Sequence, residues 1–168
     1  MKKLDIRKAV LDDAPAIASV HSRSWLAAYT GIIPDETIAQ KNTQRLEQWA
    51  NNLSGESRHT CYAAVLDDRV AGFCSVAPAE CEGYAGWFEV CAIYLDPDCF
   101  RQGIGRCLMD FALGLAREGN YPGVTVSVLE ENTPARRFYE ACGFAWDGQR
   151  SHCHYGRELV SIRYAMRF

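Results

Sequence analysis

Apolar residues along the chain follow two spacings, and each spacing predicts one kind of element. Short apolar runs bounded by turn residues are typical of strands, whereas apolar residues at every third or fourth position are typical of helices. We therefore predict strands at 4–10, 60–66, 70–77, 87–95 and 124–129, one that starts at 144–146, and one at 159–168. Helices are predicted from residue 12 or 13 to 28, over 35–53, from 104 to a stop at 119–120, and over 133–142.

Two of these helices carry apolar faces whose partners the sequence leaves open. The face of the first helix meets either the core or a substrate, and it comprises Ile17, Val20, His21, Ser24, Trp25 and Ala28. The helix at 35–53 has one apolar side with Ile38, Leu46, Trp49 and Leu53. Asp12 or Asp13 is expected to cap the first helix, and Thr133 the last one, with Pro134 at its first position.

The order of the elements predicts the fold class. The strands at 60–66 and 70–77 are separated by Asp67-Asp68-Arg69, the pattern of a β-hairpin with a short polar turn. The run at 124–129 is rich in β-branched residues, as expected for a strand buried on both faces. We predict an α/β (α+β) fold, with a mixed sheet and helices on both of its faces. No repeat, linker or low-complexity segment interrupts residues 1–168, which we interpret as a single domain.

Composition and charge argue against two classes of protein. Of 168 residues, 48% are hydrophobic and 23% are charged, which is typical of a folded chain. The net charge of −3 and the lack of a long Lys or Arg block argue against a nucleic-acid partner. No apolar run approaches the roughly 20 residues that cross a bilayer, and residues 1–5 lead into a polar segment without a signal-peptide core. We therefore expect a cytoplasmic protein without a membrane partner.

The eight cysteines form no C-x-x-C pair, and several, such as Cys74, Cys91 and Cys107, fall inside apolar runs. In a chain of this length without an export signal, reduced buried thiols are favoured over disulfides. The triplet His152-Cys153-His154 puts alternate strand residues on one face, but no other Cys or His lies at ligand spacing. We predict no metal site and assign these histidines to a substrate pocket or to packing.

The stretch 87–109 predicts an anion site. It starts as an apolar strand, breaks at Asp96-Pro97 and continues through residues 101–106 into a helix. The first turn of a helix has backbone N–H groups without partners and a partial positive charge. Gly103 and Gly105 allow an oxygen-rich group to approach these amides, and Arg101 and Arg106 add positive charge. This pattern favours a pyrophosphate group.

On this spacing alone, a plain helix entry with two turn glycines is an equally good interpretation. Two nucleotide motifs fit poorly. A P-loop requires Lys followed by Ser or Thr after its last glycine, where this chain has Arg106-Cys107. A dinucleotide-binding fingerprint requires a third glycine, where this chain has Leu108.

Two motifs in the correct order are similar to those of a known family. Residues 94–97 leading to 102–105, and residues 128–132 leading to 135–144, resemble the two acyl-CoA-binding motifs of the GNAT N-acetyltransferases. The opening resembles a bacterial, small-molecule-type branch of that family through Ile6-Arg7, Asp12, Ser24-Trp25, Ala28-Tyr29, Gly31-Ile32 and Pro34-Asp35-Glu36. The resemblance implies a GNAT fold, whose mostly antiparallel sheet of about seven strands splays apart between the fourth and fifth strands.

The same resemblance implies acetyl-CoA as the co-substrate, bound in the cleft between those two strands. Main-chain groups of Ile93, Tyr94 and Leu95 would pair with the pantetheine arm, and an N–H such as that of Leu95 would polarise the thioester carbonyl. Asn132 would meet the cofactor through its amide. Phe100 departs from the family pattern, which has Gln or Arg at that position. The pyrophosphate would contact Arg101, Gln102, Gly103, Ile104, Gly105 and Arg106.

A primary amine attacks a thioester only as the free base, so the site requires a proton acceptor. Glu89 is our candidate, acting directly or through a water, and strand alternation places it on the same face as Cys91 and Ile93. The alternative is a carboxylate at a solvated strand end. Tyr139 resembles the family's tyrosine and is our candidate for the acid that protonates the leaving thiolate, with core packing as the alternative.

The acceptor amine is expected to bind near His21, Trp25 and Tyr29 of the first helix. The leading hypothesis is an N-acetyltransferase that acts on a small amine, and protein N-termini or lysine side chains form the second substrate class. Two hypotheses without catalysis are a non-catalytic acyl-CoA-binding module and a purely structural α/β protein. The last strand, at 159–168, is compatible with pairing across a homodimer and equally with an ordinary sheet edge.

Overall fold

The computed structural model describes residues 3–168, apart from the side chain of residue 56; Met1 and Lys2, the start of the segment predicted to lack a signal-peptide core, lie outside the described residues. The strands within 3–168 are β1 (Leu4–Lys8), β2 (Thr60–Leu66), β3 (Arg69–Pro78), β4 (Phe88–Leu95), β5 (Gly123–Leu129), β6 (Ala145–His154) and β7 (Glu158–Arg167). The helices are α1 (Ala14–Tyr29), α2 (Asp35–Thr43), α3 (Arg45–Asn51), α4 (Ile104–Glu118) and α5 (Thr133–Ala141). In this part of the chain, no helix has the length and apolar character needed to span a bilayer.

All seven strands form one sheet, in the order β1-β2-β3-β4-β5-β7-β6. The strands β4 and β5 are parallel, and every other neighbouring pair is antiparallel. Leu108 of α4 and Tyr139 of α5 pack in the core on one face of the sheet, and Ile17 of α1 and Trp49 of α3 pack in the core on the other. The predicted fold class, a mostly antiparallel mixed sheet with helices on both faces, is confirmed.

The strands β4 and β5 stay together for only two residue pairs. Phe88 pairs with Val124 and Glu89 pairs with Thr125, and beyond these residues the strands diverge. Because each backbone group of a strand seeks a hydrogen-bond partner, the groups of β4 that point toward β5 are left without a strand partner from Val90 onward. We call this opening the fork. The predicted splay is confirmed, and Glu89 lies at its apex.

One extra residue in β4 changes the face on which the following side chains lie. The register with β3 shifts so that Cys91 is inserted between Val90 and Ala92, which is a β-bulge. Val90 and Ile93 both pack in the core beneath α4, whereas Ala92 packs in the core beneath α1. Glu89 therefore lies on the α1 face and Ile93 on the α4 face. The prediction that they share a face was wrong, because strict alternation assumes that no residue is inserted.

The helix predicted over 35–53 is two helices, α2 and α3, which meet at Gln44. A turn of π type follows at Asn52–Glu56. Arg45, seven residues after Ile38 and four before Trp49, lies on their buried face and is only 6% exposed, whereas Leu46 is 55% exposed. The predicted apolar side through Leu46 was therefore wrong, because the buried face carries a charged residue at this point and the leucine beside it faces solvent.

The last strand lies inside the sheet. β7 pairs with β5 on one side and with β6 on the other, so β1 and β6 are the edges. Because both sides of β7 are already paired, its interpretation as a sheet edge or as a strand that pairs across a homodimer was wrong.

Candidate functional site

A cavity of about 320 Å³ opens at the fork. Residues of α1 and the side chains of Ala92, Tyr94 and Ser127 line it on the α1 face of the sheet. On the α4 face it is lined by Ile93, Leu95, Gly105, Val126, Val128, Phe138 and Tyr139. Since the strands part here, residues from both faces of the sheet line the same cavity.

The N-terminus of α4 reaches this cavity through Gly105. Gly103 has a φ of +80°, in the left-handed region that favours glycine. A Cβ on Gly105 would lie 3.3 Å from Leu95 and 3.4 Å from Phe138, so its absence lets α4 pack close to both. In the described part of the chain, the backbone N–H groups of 103–106 have no hydrogen-bond acceptor. Four adjacent donors at the positive end of a helix dipole form an anion site.

The three polar side chains predicted beside these amides take different positions. Arg101 is exposed and makes no ion pair with another described residue. Gln102 donates from Nε2 to a carbonyl of the preceding turn at 3.1 Å. Arg106 donates to Asp110 at 2.9 Å and to the carbonyl of Ala141 at 3.2 Å, which ties α4 to α5. The guanidinium of Arg101 is thus the one left available beside the amides.

Asn132 is the residue that caps α5. Its Oδ1 accepts a hydrogen bond from the backbone N–H of Ala135 at 3.3 Å, and its ψ of 71° is not helical. The cap predicted at Thr133 therefore lies one residue earlier. Asn132 also lines the cavity, together with Tyr29. The predicted cofactor contact is thus compatible with a capping role for the same amide group.

Three tyrosines line the cavity, Tyr29, Tyr94 and Tyr139, and burial changes the pKa of Tyr29 and of Tyr139. Tyr139 is 7% exposed, and its hydroxyl forms no hydrogen bond with another described residue. Burial raises the pKa of Tyr139, and the neighbouring Tyr94 raises it further. Burial likewise raises the pKa of Tyr29, and the neighbouring Tyr94 raises it further. Both phenols are therefore protonated at neutral pH and able to donate.

Glu89 does not line the cavity but lies at the apex of the fork, on the α1 face. Its Oε1 is 3.6 Å from Nη1 of Arg163. Arg163 also donates to the hydroxyl of Thr125 at 3.2 Å. The carboxylate is thus mostly shielded from water and has a fixed counter-charge, rather than lying at a solvated strand end.

His21 and Trp25 do not line the cavity, but both contact Tyr94, which does. Trp49 donates from Nε1 to Nδ1 of His21 at 3.0 Å, and the His21 ring stacks on Tyr94 with centroids 4.8 Å apart. Burial, together with the charge of Arg45, lowers the pKa of His21 to about 3. Trp25 donates to the hydroxyl of Tyr94 at 3.2 Å. Of the three predicted acceptor residues, Tyr29 is the one that lines the cavity.

Sequence reasoning missed part of the cavity lining, because nothing in these residue types marks a site. Some of them are small and others belong to apolar stripes: Ala27, Cys91, Ser127 and Phe138. Phe100 also lines the cavity, at the position where the family pattern has a polar residue. Within residues 3–168, no three His, Cys, Asp or Glu side chains lie close enough together to hold a metal ion.

Comparison with known proteins tests the family resemblance independently of the structure. The model of the acetyltransferase (GNAT) family matches residues 20–144. The chain is 35% identical over 142 residues to the uncharacterized N-acetyltransferase YuaI of Bacillus subtilis (strain 168). This match covers 81% of this chain and 77% of YuaI. A shorter match of 58 residues, 45% identical, covers 34% of this chain and 37% of the peptidyl-lysine N-acetyltransferase YjaB of Salmonella typhimurium.

Among solved structures, the chain is similar to the PaiA N-acetyltransferase from Thermoplasma acidophilum in complex with coenzyme A. The TM-score is 0.80 at 20% identity, over 99% of both chains. The apo form of YjaB from Escherichia coli gives a TM-score of 0.73 at 22% identity, over 97% of both chains. These two likenesses establish the fold. Because the family model spans both motifs and a relative above 30% identity covers most of the chain, the chain belongs to the acetyltransferase (GNAT) family and is an N-acetyltransferase.

Proposed function

We propose that the protein transfers the acetyl group of acetyl-CoA to the primary amine of a small molecule, by direct attack in a ternary complex. The observation that carries this proposal is the cavity at the fork, which residues from both faces of the sheet line. Its α4 face adjoins the anion site, and its α1 face holds Tyr29 and Tyr94. Two substrates can therefore meet between the strands without passing each other.

The residues present fit acetyl-CoA. The free N–H groups of 103–106, with Arg101 beside them, suit a pyrophosphate. The unpaired backbone edge of β4 at Ile93–Leu95 suits the amide groups of a pantetheine arm, and the Leu95 amide is our candidate donor to the thioester oxygen. Once bound, the thioester supplies the activated acetyl group.

Glu89 is the proposed proton acceptor for the attacking ammonium or amine. It lies on the α1 face, where the amine enters, and it is held at the apex by Arg163. Because Glu89 does not line the cavity, the proton reaches it through a bridging water.

Tyr139 is the proposed proton donor to the leaving thiolate. Its buried hydroxyl stays protonated and faces the cavity from α5, on the cofactor side of the fork. No other described side chain accepts its proton, so it is available to the sulfur.

The turn between β6 and β7 covers part of the α1 face, and this cover favours a small acceptor. The turn between β6 and β7 packs on the α1–α2 segment, where Arg157 donates to the carbonyl of Ile32 at 2.8 Å. Tyr155 of that turn contacts Trp25, with ring centroids 5.8 Å apart. This cover leaves less room for a folded protein than an open groove would.

Peptidyl lysine is the second candidate substrate, because the matched segment of YjaB belongs to a peptidyl-lysine N-acetyltransferase. Release of CoA thiol from acetyl-CoA, measured over a panel of small amines, amino acids and lysine peptides, tests both candidates. We expect turnover with small amines above the rate of hydrolysis. Turnover with peptides alone would transfer the assignment to peptidyl lysine, and acetyl-CoA binding without any turnover would leave a non-catalytic binding module.

A further inference from the structure

Arg45 is a buried cation without a counter-charge. At the start of α3 it is only 6% exposed. Its Nε and Nη2 atoms have no hydrogen-bond partner, and Nη1 donates to the Gln48 side chain at a long 3.4 Å. No carboxylate within residues 3–168 forms an ion pair with it. Desolvation on burial lowers the pKa of Arg45.

Such an arrangement is costly in a folded protein. Buried guanidinium groups are normally paired with a carboxylate, because removing a charge from water is unfavourable. A buried water could accept hydrogen bonds from Arg45, but it would not neutralise the charge. An apolar side chain of similar volume would pack against the same aromatic rings without this cost. The unpaired charge therefore points to an anionic ligand that binds there.

Arg45 lies beside the acceptor face of the cavity. Its Cζ is 4.4 Å from the centroid of the Trp25 ring. Trp25 in turn contacts Tyr29, with ring centroids 5.0 Å apart, and donates to Tyr94 at 3.2 Å. Both tyrosines line the cavity. One aromatic layer thus separates the guanidinium from the space in which the amine is acetylated.

The surroundings of Arg45 suit a carboxylate. Burial lowers the pKa of Arg45, and three neighbouring tyrosine hydroxyls oppose this effect, those of Tyr94, Tyr155 and Tyr29. Hydroxyls can also donate hydrogen bonds to an anion. Lys41 adds a second cation, with Nζ 5.9 Å from the centroid of the Tyr155 ring. Tyr155 is only partly buried, on the turn between β6 and β7.

We propose that Arg45 binds the carboxylate of the acceptor, so that the substrate is a small amino acid whose carbon chain spans the aromatic layer between its carboxylate and its amine. This inference rests on the proposed function, because it assigns the amine of the same molecule to the acetyl transfer at the fork. The carboxylate sits at Arg45 and the amine extends past Tyr94 into the cavity.

The test compares each acid with its carboxamide, which keeps the amine and the shape but removes the negative charge. The series comprises glycine, β-alanine, 4-aminobutyrate, 6-aminohexanoate and L-α-amino acids. We expect the wild-type protein to favour at least one acid over its amide by tenfold or more in kcat/KM. In Arg45→Met this ratio falls toward one through a rise in KM, and Arg45→Lys retains part of it. Arg117→Met is the matched control, since its guanidinium also lies 4.4 Å from an aromatic centroid, that of Phe168.

Two further readouts do not depend on turnover. Because Arg45 stacks on Trp25, tryptophan fluorescence titrated with the preferred acid, without acetyl-CoA, should show a saturable change that the amide and Arg45→Met do not give. Arg45→Met should also raise Tm, since it removes an unpaired buried charge, whereas a purely structural role predicts a lower Tm.

The outcomes separate the two proposals. Carboxylate binding that requires Arg45, without acetylation of any amine, would overturn the transferase proposal and leave the Arg45 site intact. Acetylation without preference for acids over amides would overturn the Arg45 site and leave the transferase proposal intact. A preference that survives in Arg45→Met would also overturn it.

Discussion

The carboxylate of Glu89 lies 3.6 Å from the guanidinium of Arg163, and less than a fifth of either side chain is exposed. Arg163 comes from β7 and also donates to Thr125 of β5. It therefore bridges both arms of the fork at the point where they part. The direction of the Glu89 carboxylate is fixed by this bridge rather than by β4 alone.

Replacement of Glu89 by Gln keeps the shape of the side chain but removes its ability to accept a proton. We expect kcat to fall by about 10²–10⁴-fold, the usual contribution of a general base, with little change in the affinity for acetyl-CoA. Steady-state kinetics and a binding titration measure the two effects. The control is Glu80→Gln, whose carboxylate is 73% exposed and pairs with Arg58, and it should be silent. Wild-type turnover in Glu89→Gln would remove Glu89 from the mechanism.

Replacement of Tyr139 by Phe should slow turnover by about 10²-fold while acetyl-CoA affinity is kept, because only the hydroxyl is lost. Tyr121→Phe serves as control, since that ring packs against Phe88 in the core. Burial raises the pKa of Tyr139 above its ordinary value of 10.0. Its acid form therefore persists through neutral and mildly alkaline pH, and kcat should not decline below pH 10 on account of this group. Equal rates in both variants and wild type would assign Tyr139 to packing.

Gly103→Ala tests the anion site through the backbone. The added Cβ meets no atom within 4 Å, but the φ of +80° strains any residue other than glycine by about 1 kcal/mol. We expect this loss of stability together with weaker binding of CoA, because relief of the strain reorients the free amides. Gly148→Ala has the same strain, with a φ of +86° and nothing within 4 Å, and should lose similar stability without affecting CoA binding. Urea unfolding measures the stability of the two variants, and calorimetric titration measures their affinity for CoA. Equal CoA affinities in Gly103→Ala and Gly148→Ala would argue against the amides of 103–106 as the CoA-binding site.

His21 makes stability depend on pH. Burial lowers its pKa from 6.5 to about 3, so between these values the unfolded chain binds a proton that the folded chain does not. The free energy of unfolding should therefore rise with pH across this window, and fall by about 1 kcal/mol from pH 6 to pH 5.

His21→Gln should flatten that slope in urea unfolding curves measured at each pH. His59, whose pKa burial also lowers, leaves a residual slope of the same sign. His152→Gln, an exposed change on β6, should leave the slope at its wild-type value. An unchanged slope in His21→Gln would show that His21 is protonated in the folded state as well.

The sequence predicted most elements of the sheet because each is a local pattern. Two acidic residues at the turn of the first hairpin, Asp67 and Asp68, adopt the positive φ values of 48° and 64° that a tight turn requires. The fork could be predicted only through the family resemblance, since periodicity gives each strand but not the length over which two strands pair.

Irregular elements account for some of what the sequence could not predict. Cys91 shifts the alternation of β4, and Gln44 divides one apparent helix into two. Arg45 was missed for another reason, since a pattern of apolar positions assigns a charged residue to solvent even where helical spacing puts it on the buried face. Asn132 was not predicted as the N-cap of α5, because Thr133 beside it is an equally suitable capping residue type.

The bulge at Cys91 sets the sides of the sheet on which the later residues of β4 lie. If Cys91 were instead paired with β3 as a regular strand residue, Ile93 and Tyr94 would exchange sides of the sheet, while the residues up to Val90 would keep theirs. Tyr94 would then point toward α4, and Ile93 would point toward α1. A deletion of Cys91, in contrast, would straighten β4 and leave both side chains on their present sides.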